Sequence, residues 1–318
     1  MNPSMDINKQ SSMPHVAILM GTYEGEAYLS EQLDSIENQQ YTHWTLHVSD
    51  DSPTPGTQRL LKRYQQRWGD NKLVIYQGCR KGFAANFMSL VRNTAIQSDY
   101  YAFADQDDRW HTEKLLRAVK RLAEEKARRP LLYTARTRLV DEHGKPIGYS
   151  ALQKRRPSFQ NALVQNIASG NTMLFNQDAR NLLIASSQGE DIGLHDWWCY
   201  LLISGCGGQV VYDSTPSLDY RQHPKNLIGM KRGIKSLLVR VAHLWQGSHR
   251  MQIDRNLAAL STHQDWLTPQ HQACYHHYFV SRQGNFWERL RGLWLAGVYR
   301  QTWQGNMAML VAALLNKG

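Results

Sequence analysis

Short apolar runs alternate with stretches of helical periodicity through the first hundred residues. Four of the runs predict strands, with a helical pattern between each and the next: residues 16–20, 44–48, 73–76 and 100–104. This alternation is typical of a mostly parallel sheet with helices on both faces, so the predicted fold class is α/β. In such sheets, ligands bind where the carboxyl ends of the strands meet.

The pattern changes after residue 110. We predict a helix over residues 112–128, a strand over 131–140, short strands over 171–175 and 209–212, and mainly helices beyond residue 229. The predicted organisation is therefore a polar tail over 1–13, an α/β domain over 14–228 with halves at 14–110 and 111–228, and a helical region over 229–318.

Acidic clusters follow two of the predicted strands. Asp105 and Asp107 come directly after the strand over 100–104, where two carboxylates could share a divalent cation and the oxygens of a diphosphate. Hard oxygen ligands favour Mg²⁺ or Mn²⁺. The alternative is a solvated acidic turn that caps the next helix. Asp50 and Asp51 could accept hydrogen bonds from a nucleoside, or form an Asx turn.

Two later segments carry further candidates. Asp196 stands beside Trp197 and Trp198, where partial desolvation would raise its pKa and suit it to accept a proton. The indole rings would pack against a sugar, or lie in the core behind a helix start. His223 would be a third metal ligand only if the fold brings it to Asp107.

Charge is unevenly distributed along the chain. From residue 225 onward there are twelve Lys and Arg against three acidic residues, so this segment carries +9 of the net charge of +10. Such a segment favours an anionic partner: lipid headgroups, a phosphorylated glycan or nucleic acid. The longest apolar run, residues 307–315, is too short to span a bilayer. Four scattered cysteines fit a reducing, cytoplasmic setting.

Taken in order, these motifs resemble the family 2 glycosyltransferases with a GT-A fold, and most closely their bacterial rhamnosyltransferase-like branch. The resemblance covers residues 14–226, and the matching segments are 18–24, 50–52, 81–82, 86–87, 104–110, 169–172, 195–198, 220–223 and 226. It implies a nucleotide-sugar half at 14–110 and an acceptor half at 111–228. Two departures are Pro53 to Gly56, where the family often has a further acid and hydroxyl, and Cys79 to Lys81, which lacks an asparagine often seen there.

The resemblance also implies residue roles. Donor-binding residues would be Thr22, Glu24, Asp50, Lys81, Asp105 and Gln106, with Asp107 and His223 as metal ligands. Acceptor contacts would come from Gly170, Asn171, Trp197 and Trp198. Asp196 would be the catalytic base of a metal-assisted, inverting single displacement.

The expected donor is a nucleotide sugar, by similarity dTDP-L-rhamnose. The expected acceptor is a lipopolysaccharide core, O-antigen or related glycan, lipid-linked and anionic, with Mg²⁺ or Mn²⁺ as cofactor. The basic region would hold the protein on the inner face of the bacterial inner membrane, and no nucleic-acid partner is expected. Two alternatives remain: a nucleotidyltransferase with the same acidic site, and a basic module that binds membrane or nucleic acid.

Overall fold

The computed structural model describes residues 13–186, 192–223 and 248–314. The predicted domain boundary at 228 and almost all of the predicted N-terminal tail lie outside these residues.

A seven-stranded sheet forms the centre of the molecule. Its strands are β1 (Val16–Thr22), β2 (Trp44–Asp50), β3 (Leu73–Gln77), β4 (Tyr100–Ala104), β6 (Leu131–Ala135), β9 (Leu174–Asn176) and β10 (Gln209–Asp213). The strand order is β10-β6-β9-β4-β1-β2-β3. Only β9 runs antiparallel to its neighbours. The predicted mostly parallel α/β sheet is confirmed.

Helices cover both faces of this sheet. They are α1 (Leu29–Glu37), α2 (Pro55–Trp68), α3 (Phe83–Arg92), α4 (Lys114–Ala123), α5 (Phe159–Ala162), α6 (Gln177–Ser186) and α7 (His195–Gly205). Alternate residues of β1 point to opposite faces. Ile18 is buried in one core with α1, α2 and α4, whereas Leu19 is buried in the other with α3, α6 and α7.

The C-terminal region is helical, as predicted. Its helices are α8 (Ser248–Ser261), α9 (Pro269–Gln283), α10 (Phe286–Ala296) and α11 (Trp303–Leu314). Leu260, Tyr278 and Leu293 join the core formed by α3, α6 and α7, so this region packs against one face of the sheet domain. Among the described residues no helix has both the length and the hydrophobicity to cross a bilayer.

Two predicted strands differ from the structure. The chain predicted as one strand over 131–140 is divided: β6 ends at Ala135, and after it the Arg136 amide donates to the Asp213 carbonyl at the end of β10 while the Arg136 carbonyl accepts from the Ser217 amide beyond that strand. Strand β7 (Arg138–Val140) then belongs to a second sheet. The strand predicted over 171–175 begins as a 3-10 helix, Gly170–Thr172, and the strand itself covers Leu174–Asn176. The apolar character of the two segments did not show where the first strand ends or that the second begins as a 3-10 helix.

The second sheet brings the chain at residues 218–221 back toward the main sheet. It has the order β5-β11-β7-β8, with β5 (Arg109–Trp110), β8 (Pro146–Tyr149) and β11 (Leu218–Arg221). Buried Asp219 on β11 accepts hydrogen bonds from Arg109, Arg138 and His111 at 2.6, 2.6 and 2.9 Å. These contacts hold the pKa of Asp219 well below its usual range despite burial. They fix β11 beside β5, and hence beside the acidic loop after β4.

Candidate active site at the carboxyl edge of the sheet

Sheet register places three strand ends side by side. Thr22 pairs with Asp50, and Met20 pairs with Ala104 at the end of β4. The Thr22 hydroxyl donates to Asp50 Oδ1 at 2.9 Å. Ser52 donates to the same oxygen from its hydroxyl and its amide, at 2.6 and 3.2 Å, which is an Asx turn. The predicted cluster at the carboxyl edge is therefore present.

The loop after β1 lies beside this edge and has a left-handed backbone conformation at Glu24. Glu24 has a φ of 47° and its amide donates to the Ser52 hydroxyl at 2.8 Å. Its side chain is exposed, as is that of Lys81 before α3. Gln106 donates to the Tyr23 carbonyl and accepts from the Tyr23 amide, at 3.0 and 2.9 Å. Gln106 thus braces the loop after β1, and donor contacts by these residues stay predictions.

Three carboxylates share the electrostatic environment of the loop after β4. Burial, together with the negative charges of Asp107 and Asp196, raises the pKa of Asp105 to about 7. Asp196 is 91 residues away along the chain. The fold therefore concentrates negative potential at one edge, where a cation or a ligand N–H or O–H group would be stabilised.

Asp107 and His223 meet as the resemblance implied. Asp107 Oδ2 lies 2.8 Å from His223 Nε2, and the His223 ring packs on Tyr28 with 5.0 Å between centroids. Buried Arg221 supports the pair, donating to the Asp107 carbonyl at 3.1 Å and to Glu31 at 2.6 Å. Sequence reasoning missed Arg221, although it stands two residues before His223 in the same motif.

The Asp107–His223 pair fits a hexacoordinate cation. Two ligands at adjacent octahedral positions, each about 2.1 Å from Mg²⁺, are about 3 Å apart. Within the described parts of the chain no group of three or more His, Cys, Asp or Glu side chains could hold a metal ion. Two protein ligands with the remaining positions left to phosphate and water suit Mg²⁺ or Mn²⁺ bound together with a nucleotide.

Asp196 lies in the first turn of α7. One carboxylate oxygen accepts from the Trp197 amide at 2.7 Å, and the other from the Gly170 amide at 3.2 Å. Burial raises the pKa of Asp196, and these N–H groups oppose part of that rise. A Cβ at Gly170 would lie 3.2 Å from Asp196 Cβ and 3.0 Å from His195 Nε2. Glycine thus allows the loop to approach the carboxylate.

The acceptor role predicted for the two tryptophans is not supported by their positions. Trp197 and Trp198 are 3% and 0% exposed. Their indole N–H groups donate to the Ala162 carbonyl at 2.7 Å and the Ser186 hydroxyl at 3.1 Å. Both rings belong to the core and hold α7 in place. Because they are buried, neither ring has a face exposed for a sugar. The role predicted for Asp196 stays a prediction.

Asn171 is also buried, in a polar network that sequence reasoning missed. Its amide donates to Asp108 at 2.6 Å, and its carbonyl accepts from Lys114 Nζ at 2.8 Å. Burial lowers the pKa of Lys114 to about 7 and raises that of Asp108 well above its usual range. The predicted acceptor contact by the Asn171 side chain is corrected: it ties the loop at Gly170 to the loop after β4.

His195 is buried without a hydrogen-bond partner for either ring nitrogen among the described residues. Its ring stacks on Phe87 at 4.3 Å between centroids. Burial lowers the pKa of His195 to about 3. An unfolded histidine has a pKa near 6.5. Below that pH the unfolded chain therefore gains a proton that the folded protein excludes, and stability must fall as pH falls.

We expect His195→Leu to weaken this acid sensitivity. Wild-type protein should lose about 1.5 kcal/mol more unfolding free energy than the variant between about pH 6.5 and pH 5. Urea unfolding at both pH values measures the difference. His143→Gln, at a histidine whose side chain is 83% exposed, is the control and should behave as wild type. Equal losses in wild type and His195→Leu would show that His195 is protonated in the folded protein.

Solved structures share this architecture. The chain is similar to TarS of S. aureus in complex with UDP-GlcNAc, at 16% identity and a TM-score of 0.54 over 86% of this chain and 75% of that one. It is also similar to the mannosyltransferase PcManGT of Pyrobaculum calidifontis in complex with GDP-Man and Mn²⁺, at 18% identity and a TM-score of 0.51 over 90% and 87%. The fold is therefore that of the GT-A glycosyltransferases.

Sequence comparison then defines the family. The model for glycosyl transferase family 2 matches residues 17–179, about half of the chain and the segment that carries the acidic strand ends. The chain belongs to glycosyl transferase family 2. It is 24% identical over 251 residues to the dTDP-rhamnosyl transferase RfbG of Shigella flexneri, covering 76% of this chain and 84% of that protein.

Proposed function

We propose that this glycosyltransferase moves L-rhamnose from dTDP-L-rhamnose to a hydroxyl of a bacterial surface glycan with inversion at the anomeric carbon. The observation that carries the mechanism is the meeting of Asp196 with the acidic loop after β4. The charge of Asp196 raises the pKa of Asp105, and Asp107 from the same loop lies against His223. A proton acceptor and a candidate cation site therefore lie near each other at the carboxyl edge of the sheet.

Two observations support the donor: the polar residues at the carboxyl edge of the sheet and the similarity to a dTDP-rhamnosyl transferase. Thr22, Asp50 and Ser52 form a buried polar group at the end of β1 and β2, suited to a nucleoside. The similarity to a dTDP-rhamnosyl transferase extends over most of both chains and favours dTDP-L-rhamnose. UDP-GlcNAc and GDP-Man in the two structural relatives support a nucleotide sugar more generally.

The chain supplies the base for a single displacement. Asp196 takes the proton of the acceptor hydroxyl while that oxygen attacks the anomeric carbon, and the bond from that carbon to the nucleoside diphosphate breaks. The Gly170 and Trp197 N–H groups fix the direction of the carboxylate. The raised pKa of Asp196 brings its proton affinity closer to that required at neutral pH.

A divalent cation, Mg²⁺ or Mn²⁺, would be held by Asp107 and His223 and would offset the charge that develops on the departing diphosphate. Arg221 holds the Asp107 backbone, and Tyr28 packs on the His223 ring, so both ligands are positioned before donor binding. Mn²⁺ in the mannosyltransferase structure supports a cation in this role.

A donor panel tests the proposal. The protein is incubated with Mn²⁺ and, separately, dTDP-L-rhamnose, UDP-glucose or GDP-mannose, and the released nucleotide is identified by chromatography. Slow hydrolysis of dTDP-L-rhamnose to dTDP is expected. Exclusive use of UDP-glucose would overturn the rhamnose assignment. Release of sugar 1-phosphate and nucleoside monophosphate, by cleavage between the two phosphates of the donor, would instead indicate nucleotidyl transfer.

A further inference from the structure

The C-terminal helices expose large aromatic side chains to solvent. Trp287 and Trp294 on α10 are 75% and 80% exposed, and Trp303 at the start of α11 is 71% exposed. Trp287 and Trp294 are seven residues apart, about two helical turns, so they share one face with exposed Arg291 between them. An arginine flanked by tryptophans on one surface suits a boundary between charge and hydrocarbon.

Helix α11 is apolar on two sides. Met309, Leu310 and Ala313 pack against the core, whereas a second stripe is exposed at helical spacing: Trp303, Met307, Val311 and Leu314. The helix contains no charged residue. With 12 residues it is about 18 Å long, well short of the roughly 30 Å bilayer core. The exposed stripe therefore suits a surface that α11 lies along rather than crosses.

A basic loop lies against the junction of these helices. Gln301 bonds to the Arg155 amide and carbonyl at 2.9 and 3.1 Å, and Tyr299 donates to the Arg156 carbonyl at 2.8 Å. Lys154, Arg155 and Arg156 are exposed. They line a groove of about 650 Å³ together with Arg121 and Arg129, and with Glu125, which lies 3.4 Å from Arg129. These hydrogen bonds hold the three cations beside the chain segment that leads into Trp303, where an anionic surface would attract them.

We propose that the α10–α11 face and the loop at 154–156 form a docking surface for an anionic lipid bilayer. In this arrangement the apolar stripe enters the headgroup boundary and the groove receives lipid phosphates. Charge favours this occupant: a second copy docked by the same face would bring its own exposed cations, Arg291 and those at 154–156, against the first. The aliphatic part of the stripe, Met307, Val311 and Leu314, matches acyl chains rather than nucleic-acid bases.

Vesicle flotation of the full chain tests this surface. Vesicles of phosphatidylcholine with about 30% phosphatidylglycerol are compared with pure phosphatidylcholine near physiological salt. Wild type is expected to float with the anionic vesicles. Trp294→Ala with Trp303→Ala, and separately Lys154→Gln with Arg156→Gln, should each weaken binding at least about tenfold. The flotation result does not depend on the proposed function, because the assay contains no sugar donor.

Matched controls separate docking from folding and from charge in general. Lys62→Gln with Arg63→Gln removes two exposed cations from α2, and binding should stay as in wild type. All variants should keep the wild-type melting temperature. Absence of wild-type flotation with anionic vesicles, or unchanged binding by both double variants, would overturn the proposal. A wild-type dimer in sedimentation that the tryptophan substitutions dissociate would assign the face to a second copy instead.

Discussion

Asp196→Asn is expected to lower kcat about a thousandfold and leave the dissociation constant of the donor nearly unchanged. The amide keeps the size of the carboxyl group but cannot take the acceptor proton. Its oxygen can still accept one of the two N–H bonds from Gly170 and Trp197, which keeps the helix start in place. Initial rates with saturating donor, together with donor calorimetry, separate the two effects.

A matched control is available on α6. Asp178, like Asp196, lies in the first turn of a helix, but its side chain is exposed and belongs to no site. Asp178→Asn should keep wild-type kcat. If Asp196→Asn keeps a kcat within a few-fold of wild type while its melting temperature is normal, Asp196 is not the base and another group accepts the proton.

Asp107→Ala is expected to weaken donor binding about a hundredfold in Mn²⁺, to the level that wild type shows in EDTA. The substitution removes the carboxylate that lies 2.8 Å from His223, so the cation loses a charged ligand and the diphosphate loses the cation. Titration of donor with and without metal measures this. In EDTA the variant and wild type should agree.

His223→Ala provides a graded companion to that result. It removes a neutral ligand rather than a charged one, so a smaller loss of metal-dependent affinity is expected. His143→Gln on the surface serves as the histidine control. A donor affinity that still responds to Mn²⁺ as in wild type after Asp107→Ala would place the cation elsewhere.

The sequence predicted the architecture well because burial and strand position leave strong local patterns. Apolar runs located β1 to β4 within a few residues, and acids at the ends of β2 and β4 located the edge where ligands bind. Residue chemistry suggested a cation at Asp107 and a proton acceptor at Asp196, and the resemblance implied the same roles and added His223 as a metal ligand. The structure brings them together across 89 to 116 residues of chain, a relation that local patterning does not contain.

The sequence alone did not predict which of these side chains are buried or which groups they contact. Trp197 and Trp198 follow an acidic residue in a motif that suits either a sugar platform or a core helix, and only their full burial decides for the core. The ionisable residues Asp108 and Lys114 would be expected at the surface. Their burial became evident only when the fold placed them around Asn171.

Donor calorimetry tests the central claim most directly. Wild-type protein is titrated with dTDP-L-rhamnose in Mn²⁺ and again in EDTA, with UDP-glucose and GDP-mannose as comparisons. Saturable binding of dTDP-L-rhamnose that is lost in EDTA is expected. Folded protein that binds none of the three donors in the presence of metal would contradict it, and binding of equal strength in Mn²⁺ and EDTA would contradict the role of the cation.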